Sequence, residues 1–167
     1  MGILDAAFRF SDAQSLVGSA GAFINSTNIY DLGASSPDQG IGNDWVVQCN
    51  VGTTFTSAGG NTGLVQAYLI ASIATDYEAT SYTVVAASSI MVASAMVAGY
   101  AFFIRPTAQT IATNPAAIAL KLAGFRYLAL RYALAGQDIT AGTITSSLAL
   151  DQGADIKMAY PTTYTVI

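Results

Sequence analysis

The sequence predicts an all-β domain, a single β-sandwich built from about eight strands. Short apolar stretches alternate with turns that contain Gly, Pro, Asn or Asp, and a helical period is almost absent. The length of 167 residues suits one domain with its own core. We expect the sandwich over residues 23–151, an amino-terminal arm over residues 1–22 and a carboxyl-terminal tail over residues 152–167.

Six strands are expected in the first two thirds of the chain. Trp45, Val47 and Cys49 alternate on one face of the second strand, and the third is apolar on both faces, which is typical of a strand in the middle of a sheet. These six strands and the two predicted in residues 125–151 make eight, a number that is typical of a jelly roll. The predicted segments are residues 23–32, 45–51, 64–74, 81–86, 90–93 and 100–105.

The clearest strand signal lies in residues 125–151, where two segments each alternate apolar and small or polar side chains. Gly and Asp in residues 135–142 suit a chain reversal between the segments. We therefore expect a long antiparallel hairpin that packs its apolar face on a sheet formed by earlier strands. The residues expected on the inward faces are Leu128, Leu130, Tyr132 and Leu134, followed by Ile144, Ser146, Leu148 and Leu150.

The composition is unusually poor in charge. Charged residues make up 10% of the chain and hydrophobic residues 53%, whereas ordinary soluble proteins contain about 25% charged residues. One explanation is a β-protein whose surface consists mainly of Thr, Ser and Asn. The explanation that we favour is a subunit that covers much of its surface with copies of itself or with a scaffold.

Nucleic-acid and membrane binding are both disfavoured. The six Lys and Arg residues are scattered, and the formal net charge is −4, so a phosphate-binding patch is not expected. Residues 79–104 carry no charge and are long enough to span a bilayer, but residues 45–75 are equally uncharged and no basic cluster flanks residues 79–104. MGILDAAFRF does not resemble a secretory signal, and the single cysteine, Cys49, fits a buried strand position in a protein made in a reducing compartment.

The sequence predicts neither an enzyme nor a metal or cofactor site. It contains no histidine, which removes histidine acid–base catalysis and the commonest metal ligand. Most carboxylates stand at expected strand ends and turns, where bonding to the backbone explains them. SAGGNTG lacks the lysine of a phosphate-binding loop.

Four strings occur in an order and spacing that resembles a family of jelly-roll capsid cement (decoration) proteins of tailed bacteriophages. They are FSDAQ, NIYDLG, VGTTFTSAGGN and FRYLALRYALAGQDITAGTITSSLALD. In that family similar FSDAQ, DLG, FTSAG and RYLRL-with-FTAG strings recur. The resemblance covers residues 4–151, while residues 107–123 and the tail after Asp151 depart from the family pattern.

The resemblance implies a structural virion protein, made in the host cytoplasm and bound to the outer surface of the capsid. Its partner would be the major capsid protein, whose neighbouring subunits it would clamp against internal DNA pressure. It would also self-associate, with a trimer favoured and a dimer as the alternative. The competing functional hypothesis is a jelly-roll carbohydrate-binding module of a phage tail or surface adhesin, which exposed Trp45 or Tyr side chains would support; an enzyme ranks third.

Three segments are candidates for contact with the capsid or with other subunits: the amino-terminal arm, the loop of residues 35–44 and the tail. Aromatic side chains in the arm and the tail, and the turn-forming residues of the loop, suit such contacts. The alternatives are packing against its own domain for the arm, a solvated turn for the loop and a frayed end for the tail. The candidate residues are Phe8, Phe10, Pro37, Asp38, Asp44, Tyr160 and Tyr164.

Overall fold

A computed structural model of the protein describes residues 9–31, 45–76, 82–105 and 125–150. These residues form ten β-strands, one α-helical turn and one 3₁₀ turn, so the predicted all-β class is confirmed. The elements are β1 (Arg9–Ser15), β2 (Phe23–Asn25), β3 (Tyr30–Asp31), β4 (Trp45–Ser57), α1 (Ala58–Asn61), β5 (Leu64–Ser72), β6 (Tyr82–Ala87), β7 (Met91–Val92), β8 (Ala101–Ile104), β9 (Tyr127–Ala135) and β10 (Ile139–Leu150).

The strands form two antiparallel sheets that enclose one core. Sheet A has the order β1-β10-β4-β8, and sheet B has the order β2-β9-β5-β6, with β3 also pairing with β9 and β7 with β5. Because β5 lies between β9 and β6, the prediction that residues 64–74 form a strand in mid-sheet is confirmed, although the strand ends at Ser72. Along β5, buried and partly exposed residues alternate from Leu64 to Tyr68, and every residue from Leu69 to Ser72 is buried.

The core lies between the inner faces of the two sheets. Val47, Cys49 and Val51 of β4 are at most 2% exposed, which confirms the predicted alternation in that strand. The four inward residues predicted for the first segment of residues 125–151 are also buried in β9. Since successive residues of a strand point to opposite faces, the other residues of β9 lie on the outer face of sheet B.

The predicted hairpin is wrong, because β9 and β10 belong to different sheets. β9 pairs with β5 from Leu64↔Ala135 to Ser72↔Tyr127, and β10 pairs with β4 and β1. Residues 136–138 carry the chain from sheet B to sheet A, and Gly136, with φ of 74°, takes a backbone conformation that favours glycine. Alternation identifies the face that a strand buries but not the strand with which it pairs.

Part of the predicted arm is a strand of the sandwich. β1 pairs with β10, and the register shifts twice along it, between Arg9 and Ser11 and between Ser11 and Gln14. Ala13 has a φ of 45°, and its N–H donates to Thr145 Oγ1 at 3.0 Å instead of joining a regular ladder. These irregularities interrupt the period of two, which is why the sequence pattern did not indicate a strand here.

A chain of buried hydroxyl groups joins the two sheets. Tyr132 of sheet B is 0% exposed, and its hydroxyl lies 2.9 Å from Ser11 Oγ and 2.9 Å from Ser146 Oγ, both in sheet A. Ser11 donates its proton to Gln14 Oε1 at 2.7 Å. Ser11 must therefore accept from Tyr132, and Tyr132 must accept from Ser146, because each hydroxyl carries a single proton.

The uncharged stretch of residues 79–104 does not form an α-helix where the structure describes it. It contains β6, β7, a short 3₁₀ turn at Ala93–Ala95, and β8. Within the described ranges, no helix has the length and apolar character needed to cross a membrane.

Removing the hydroxyl of Tyr132 should measure how much the chain of buried hydroxyls contributes to the free energy of unfolding. We expect Tyr132→Phe to lower the free energy of unfolding by about 1–3 kcal/mol, because Ser146 loses its acceptor and Ser11 its donor inside the core. Urea unfolding followed by circular dichroism gives this value.

Tyr68→Phe is the matched control, since the Tyr68 hydroxyl donates to Gln66 Oε1 on the partly exposed outer face of sheet B. That variant should lose less than about 0.5 kcal/mol. Equal losses for the two variants would contradict a special role for the buried chain.

Candidate interaction surface

Only one of the seven predicted contact residues falls in the described part of the chain. Phe10 is 1% exposed and packs in the core, against its own domain, so it presents no surface to a partner. The pairing of β1 with β10 places it there. The other predicted contact residues, which lie outside the described residues, are Phe8, Pro37, Asp38, Asp44, Tyr160 and Tyr164.

Two titratable side chains, Cys49 and Tyr132, are buried in the core, and burial raises the pKa of each. Cys49 is 0% exposed, as the sequence predicted, and burial raises the pKa of its thiol far above the ordinary value of 9.0. Burial likewise raises the pKa of the Tyr132 phenol. Among residues 9–31, 45–76, 82–105 and 125–150, no three His, Cys, Asp or Glu side chains are grouped to hold a metal ion.

Three carboxylates of the described segments make specific contacts within the chain. Asp12 pairs with Arg9 at 2.6 Å. Asp31 accepts from Arg126 Nε at 2.9 Å and from Nη2 at 2.8 Å, and these hydrogen bonds are the main cause of a raised pKa for the Arg126 guanidinium. Asp138, in the connection from β9 to β10, accepts from the N–H of Ala20 at 2.8 Å. Only the Asp138 contact is the bonding to the backbone that the sequence predicted for carboxylates at turns and strand ends, since Asp12 and Asp31 pair with arginine side chains.

Arg131 stands on the outer face of sheet B between two aromatic rings. Its guanidinium carbon lies 4.4 Å from the centroid of the Phe23 ring and 5.1 Å from that of the Tyr82 ring. Phe23 belongs to β2, which borders β9 directly, and Tyr82 belongs to β6, on the far side of β5. Both distances lie within the range of cation–π attraction. We call Phe23, Tyr82 and Arg131 the aromatic–arginine patch.

The patch leaves hydrogen-bonding capacity unused. Arg131 Nε is buried and has no hydrogen-bond partner. Arg9 and Arg126 each pair with a carboxylate, but no carboxylate of the described residues pairs with Arg131. A buried donor without an acceptor is rare in proteins, and functional sites are one place where it occurs.

The aromatic rings of the patch are open to solvent although the arginine between them is partly covered. Phe23 is 53% exposed and Tyr82 is 38% exposed. Beside them, Tyr68 is fixed by its bond to Gln66, whose Nε2 donates to the Ser88 carbonyl at 3.0 Å. Arginine and aromatic residues dominate the energetic centres of protein interfaces, so the patch has the composition of a binding site for a macromolecule.

A second surface is apolar and follows the chain from β7 to β8. The main chain is anchored to β4 there, since Gly99 N–H donates to the Val51 carbonyl at 2.9 Å and Val51 N–H to the Tyr100 carbonyl at 2.8 Å. β8 is an edge strand in the part of the fold that the structure describes. The large apolar side chains on this surface, each at least 40% exposed, are Ile90, Val92, Val97, Tyr100 and Phe103, which together we call the apolar ridge.

Sequence reasoning missed both surfaces. Alternation placed Arg131 on the outward face of its strand, and an arginine inside an otherwise apolar strand was the available signal. Its two aromatic neighbours come from strands that are 108 and 49 residues away in the chain, counted as 131 − 23 and 131 − 82. Only the strand order of sheet B brings them together.

Comparison with known proteins does not assign this chain to a family. No protein-family model matches it, and no curated protein sequence matches it. Function must therefore be inferred from the sequence and from the surfaces described above.

The burial of Cys49 makes its reactivity predictable. We expect the native protein not to react with a thiol reagent such as 5,5′-dithiobis(2-nitrobenzoic acid) at about pH 8, because the raised pKa keeps the thiol protonated and the core excludes the reagent. The urea-unfolded protein should release one thionitrobenzoate per chain. Val97→Cys, on the apolar ridge, is the accessible control and should react in the native state. Rapid reaction of native Cys49 would contradict its burial.

Proposed function

We propose that this protein is a jelly-roll capsid cement subunit that binds the outer surface of a phage head and clamps neighbouring major capsid subunits. The observation that carries this proposal is the aromatic–arginine patch, a group of interface-type side chains on the open face of a sheet. The resemblance of four sequence strings to the cement family supplies the identity of the partner. The fold, the composition and the arrangement of exposed side chains support the same function.

The pairing pattern supports the jelly roll as the specific form of the sandwich. Four antiparallel pairs are nested from the ends of the described fold toward its middle: β1 with β10, β2 with β9, β4 with β8, and β5 with β6. Members of successive pairs belong to alternate sheets. A chain folded back into such a ribbon and then rolled into two four-stranded layers is a jelly roll, with β3 and β7 as short additions.

The composition supports a subunit that functions through its contacts. Only 10% of the residues are charged, while large apolar side chains remain exposed at the patch and along the apolar ridge. Exposed apolar patches of this kind mark interaction sites in soluble proteins. A subunit bound to a shell and to its own copies would cover them.

Clamping follows from binding by mass action. A cement subunit that binds the assembled shell but not free capsid subunits stabilises the shell by RT ln(1 + [L]/Kd), about 2.7 kcal/mol per site at 100 times Kd. Many equivalent sites repeated by the symmetry of the head act together, so modest single contacts raise the barrier to the loss of any one capsid subunit.

Capsid binding is tested with heads assembled without this chain. We expect the purified protein to co-sediment with expanded heads in a fixed ratio to the major capsid protein and to raise the temperature at which DNA is released. Heads already saturated with the protein are the control and should bind no more. Failure of the protein to bind the heads under any ionic condition would refute the proposal.

We further propose that the subunit self-associates through the apolar ridge, with a trimer favoured and a dimer as the alternative. Replacing Tyr100 and Phe103 by Ser should weaken association by at least about tenfold, because both side chains would be covered by a second copy. Analytical ultracentrifugation measures the effect. Ile73→Ser, at a side chain that is 61% exposed outside the ridge, is the matched control. Equal behaviour of the two variants would contradict the assignment of the ridge.

The carbohydrate-binding hypothesis is the second candidate, and the exposed rings of Phe23 and Tyr82 are the observation that favours it, since sugars stack on open aromatic faces. The Trp45 side chain lies outside the described residues. A glycan array separates the two functions: selective glycan binding that Tyr82→Ala abolishes, together with no binding to heads, would favour the carbohydrate module.

A further inference from the structure

We infer that one end of the β-sandwich packs against the same end of a second copy of this chain. This end is formed by four connections between strands, residues 16–22, 58–63, 88–100 and 136–138, and we call it the turn end. The opposite end, where β4 and β9 begin, we call the charged end. The inference rests on the proposed function for self-association, and it adds the orientation of the copies.

Strand register places the four connections at the same end of the sandwich. In sheet A, Ser57 of β4 pairs with Ile139 of β10 at that end. In sheet B, Leu64 of β5 pairs with Ala135 of β9 and with Val92 of β7. Each of these residues borders or belongs to one of the four connections, so the connections adjoin one another. All four fall within the described ranges.

Main-chain hydrogen bonds make the turn end one continuous surface. They join each connection to a neighbouring one or to the strand beside it. A surface that is held by its own main chain loses little conformational entropy when it binds. The bonds run from Gly18 N–H to the Ile139 carbonyl at 3.1 Å, from Ala58 N–H to the Asp138 carbonyl at 2.9 Å and from Ala93 N–H to the Gly63 carbonyl at 2.8 Å.

Charged residues are concentrated toward the opposite end. Of the eight charged residues that the structure describes, six lie in that direction, Arg131 lies in mid-sheet, and Asp138 is the only one in the four connections. The carboxylate of Asp138 accepts from Ala20 N–H within the turn end. The six residues toward the charged end are Arg9, Asp12, Asp31, Asp76, Arg105 and Arg126.

The sequence adds negative charge to the charged end. Asp44 directly precedes β4, Asp151 directly follows β10, and Glu78 stands two residues beyond Asp76. A chain advances at most about 3.6 Å per residue, so these three acidic residues belong to the charged end whatever their conformation. The described arginines and aspartates number four each and cancel, so the acidic residues next to them make this end negative.

The turn end has the composition of an interface core. Val17 is 52% exposed and Ile90 is 61% exposed, and Val92 and Val97 are also open to solvent. The cores of protein interfaces are depleted of charged residues, as this end is. Ile90, Val92 and Val97 belong to the apolar ridge, so the turn end continues the surface proposed for self-association.

A second copy is the occupant that the charge distribution favours. Like copies carry the same negative end, and they repel each other least when those ends are far apart. Contact through the turn ends separates them by the length of both sandwiches, since the 13 residues of β4 alone span about 40 Å. A partner of different sequence would not impose this constraint.

The orientation is tested by cross-linking copies through single introduced thiols, which is possible because Cys49 is buried. Ser19→Cys marks the turn end, and Thr75→Cys, which follows β5, is the matched variant at the charged end; both positions are exposed. We expect a short bismaleimide to join Ser19→Cys copies and to leave Thr75→Cys copies single. Reaction with a monofunctional maleimide in dilute solution verifies that both thiols are accessible. Preferential cross-linking of Thr75→Cys, or equal cross-linking of the two variants, would overturn the inference.

An added charge tests the same interface by analytical ultracentrifugation. Val97→Asp should weaken association by at least about tenfold, because it places like charges opposite each other. Ile73→Asp, at an exposed side chain of the charged end, is the control and should change association by less than about twofold. Thermal unfolding verifies that each variant folds. Equal effects of the two variants would contradict contact through the turn end.

Salt distinguishes this interface from one made of ion pairs. Association of the unaltered protein should be unchanged or stronger when NaCl rises from about 0.05 M to about 0.5 M, because salt screens the repulsion between the charged ends. Weakening by more than about tenfold over that range would indicate ion pairs between the copies and overturn the inference.

The outcomes separate the interface from the capsid function. Cross-linking of Ser19→Cys copies, with no binding of the unaltered protein to heads, would refute the capsid function and leave the turn-end interface standing. A chain that binds heads but stays monomeric in solution, and whose Ser19→Cys copies do not cross-link on the heads, would retain the capsid function and overturn the inference.

Discussion

The fold depends on the hydroxyl chain that crosses its core from Ser146 through Tyr132 to Ser11. The direction of donation is fixed at the far end by Gln14, because Thr27 N–H donates to its Oε1 at 3.2 Å and its Nε2 donates to the Asn25 carbonyl at 2.6 Å. The chain therefore joins sheet A to sheet B and continues to the backbone next to β2. Polar groups buried in this way hold only when every member is satisfied, so they specify one alignment of the two sheets.

That alignment also determines the outer surface. Tyr132 points into the core, so Arg131, the preceding residue of the same strand, points outward. A shift of β9 by one residue would exchange the two side chains, placing a charge in the core and a tyrosine on the surface. Pairing of β9 with β2 and β5 prevents such a shift and sets Arg131 opposite Asn25 and Tyr68. The buried hydroxyl chain and the patch thus depend on the same register.

Sequence patterns could predict which face each strand buries, but not which strands it pairs with. The inward face of β9 and the alternation in β4 follow from a period of two that any buried sheet imposes. The separation of β9 and β10 into different sheets could not be predicted, because a short connection with Gly136 suits both a hairpin and a crossing between sheets. β1 was not predicted as a strand because its register shifts break the period of two near Ala13. The aromatic–arginine patch was not predicted because only the strand order of sheet B brings its three residues together.

The two sheets have different outer faces, which reconciles both explanations of the low charge. On sheet A the exposed hydroxyls bond to one another across strands, as in Thr143 Oγ1 to Thr53 Oγ1 at 3.0 Å and Thr56 Oγ1 with Thr140 Oγ1 at 2.9 Å. Such a surface is polar without charge and meets its own hydrogen-bonding needs. Sheet B instead presents open aromatic rings and an arginine without a carboxylate in the described chain. In the proposed assembly, sheet B is therefore the face applied to the shell, whereas the hydroxyl-bearing surface of β4 and β10 in sheet A is left to water.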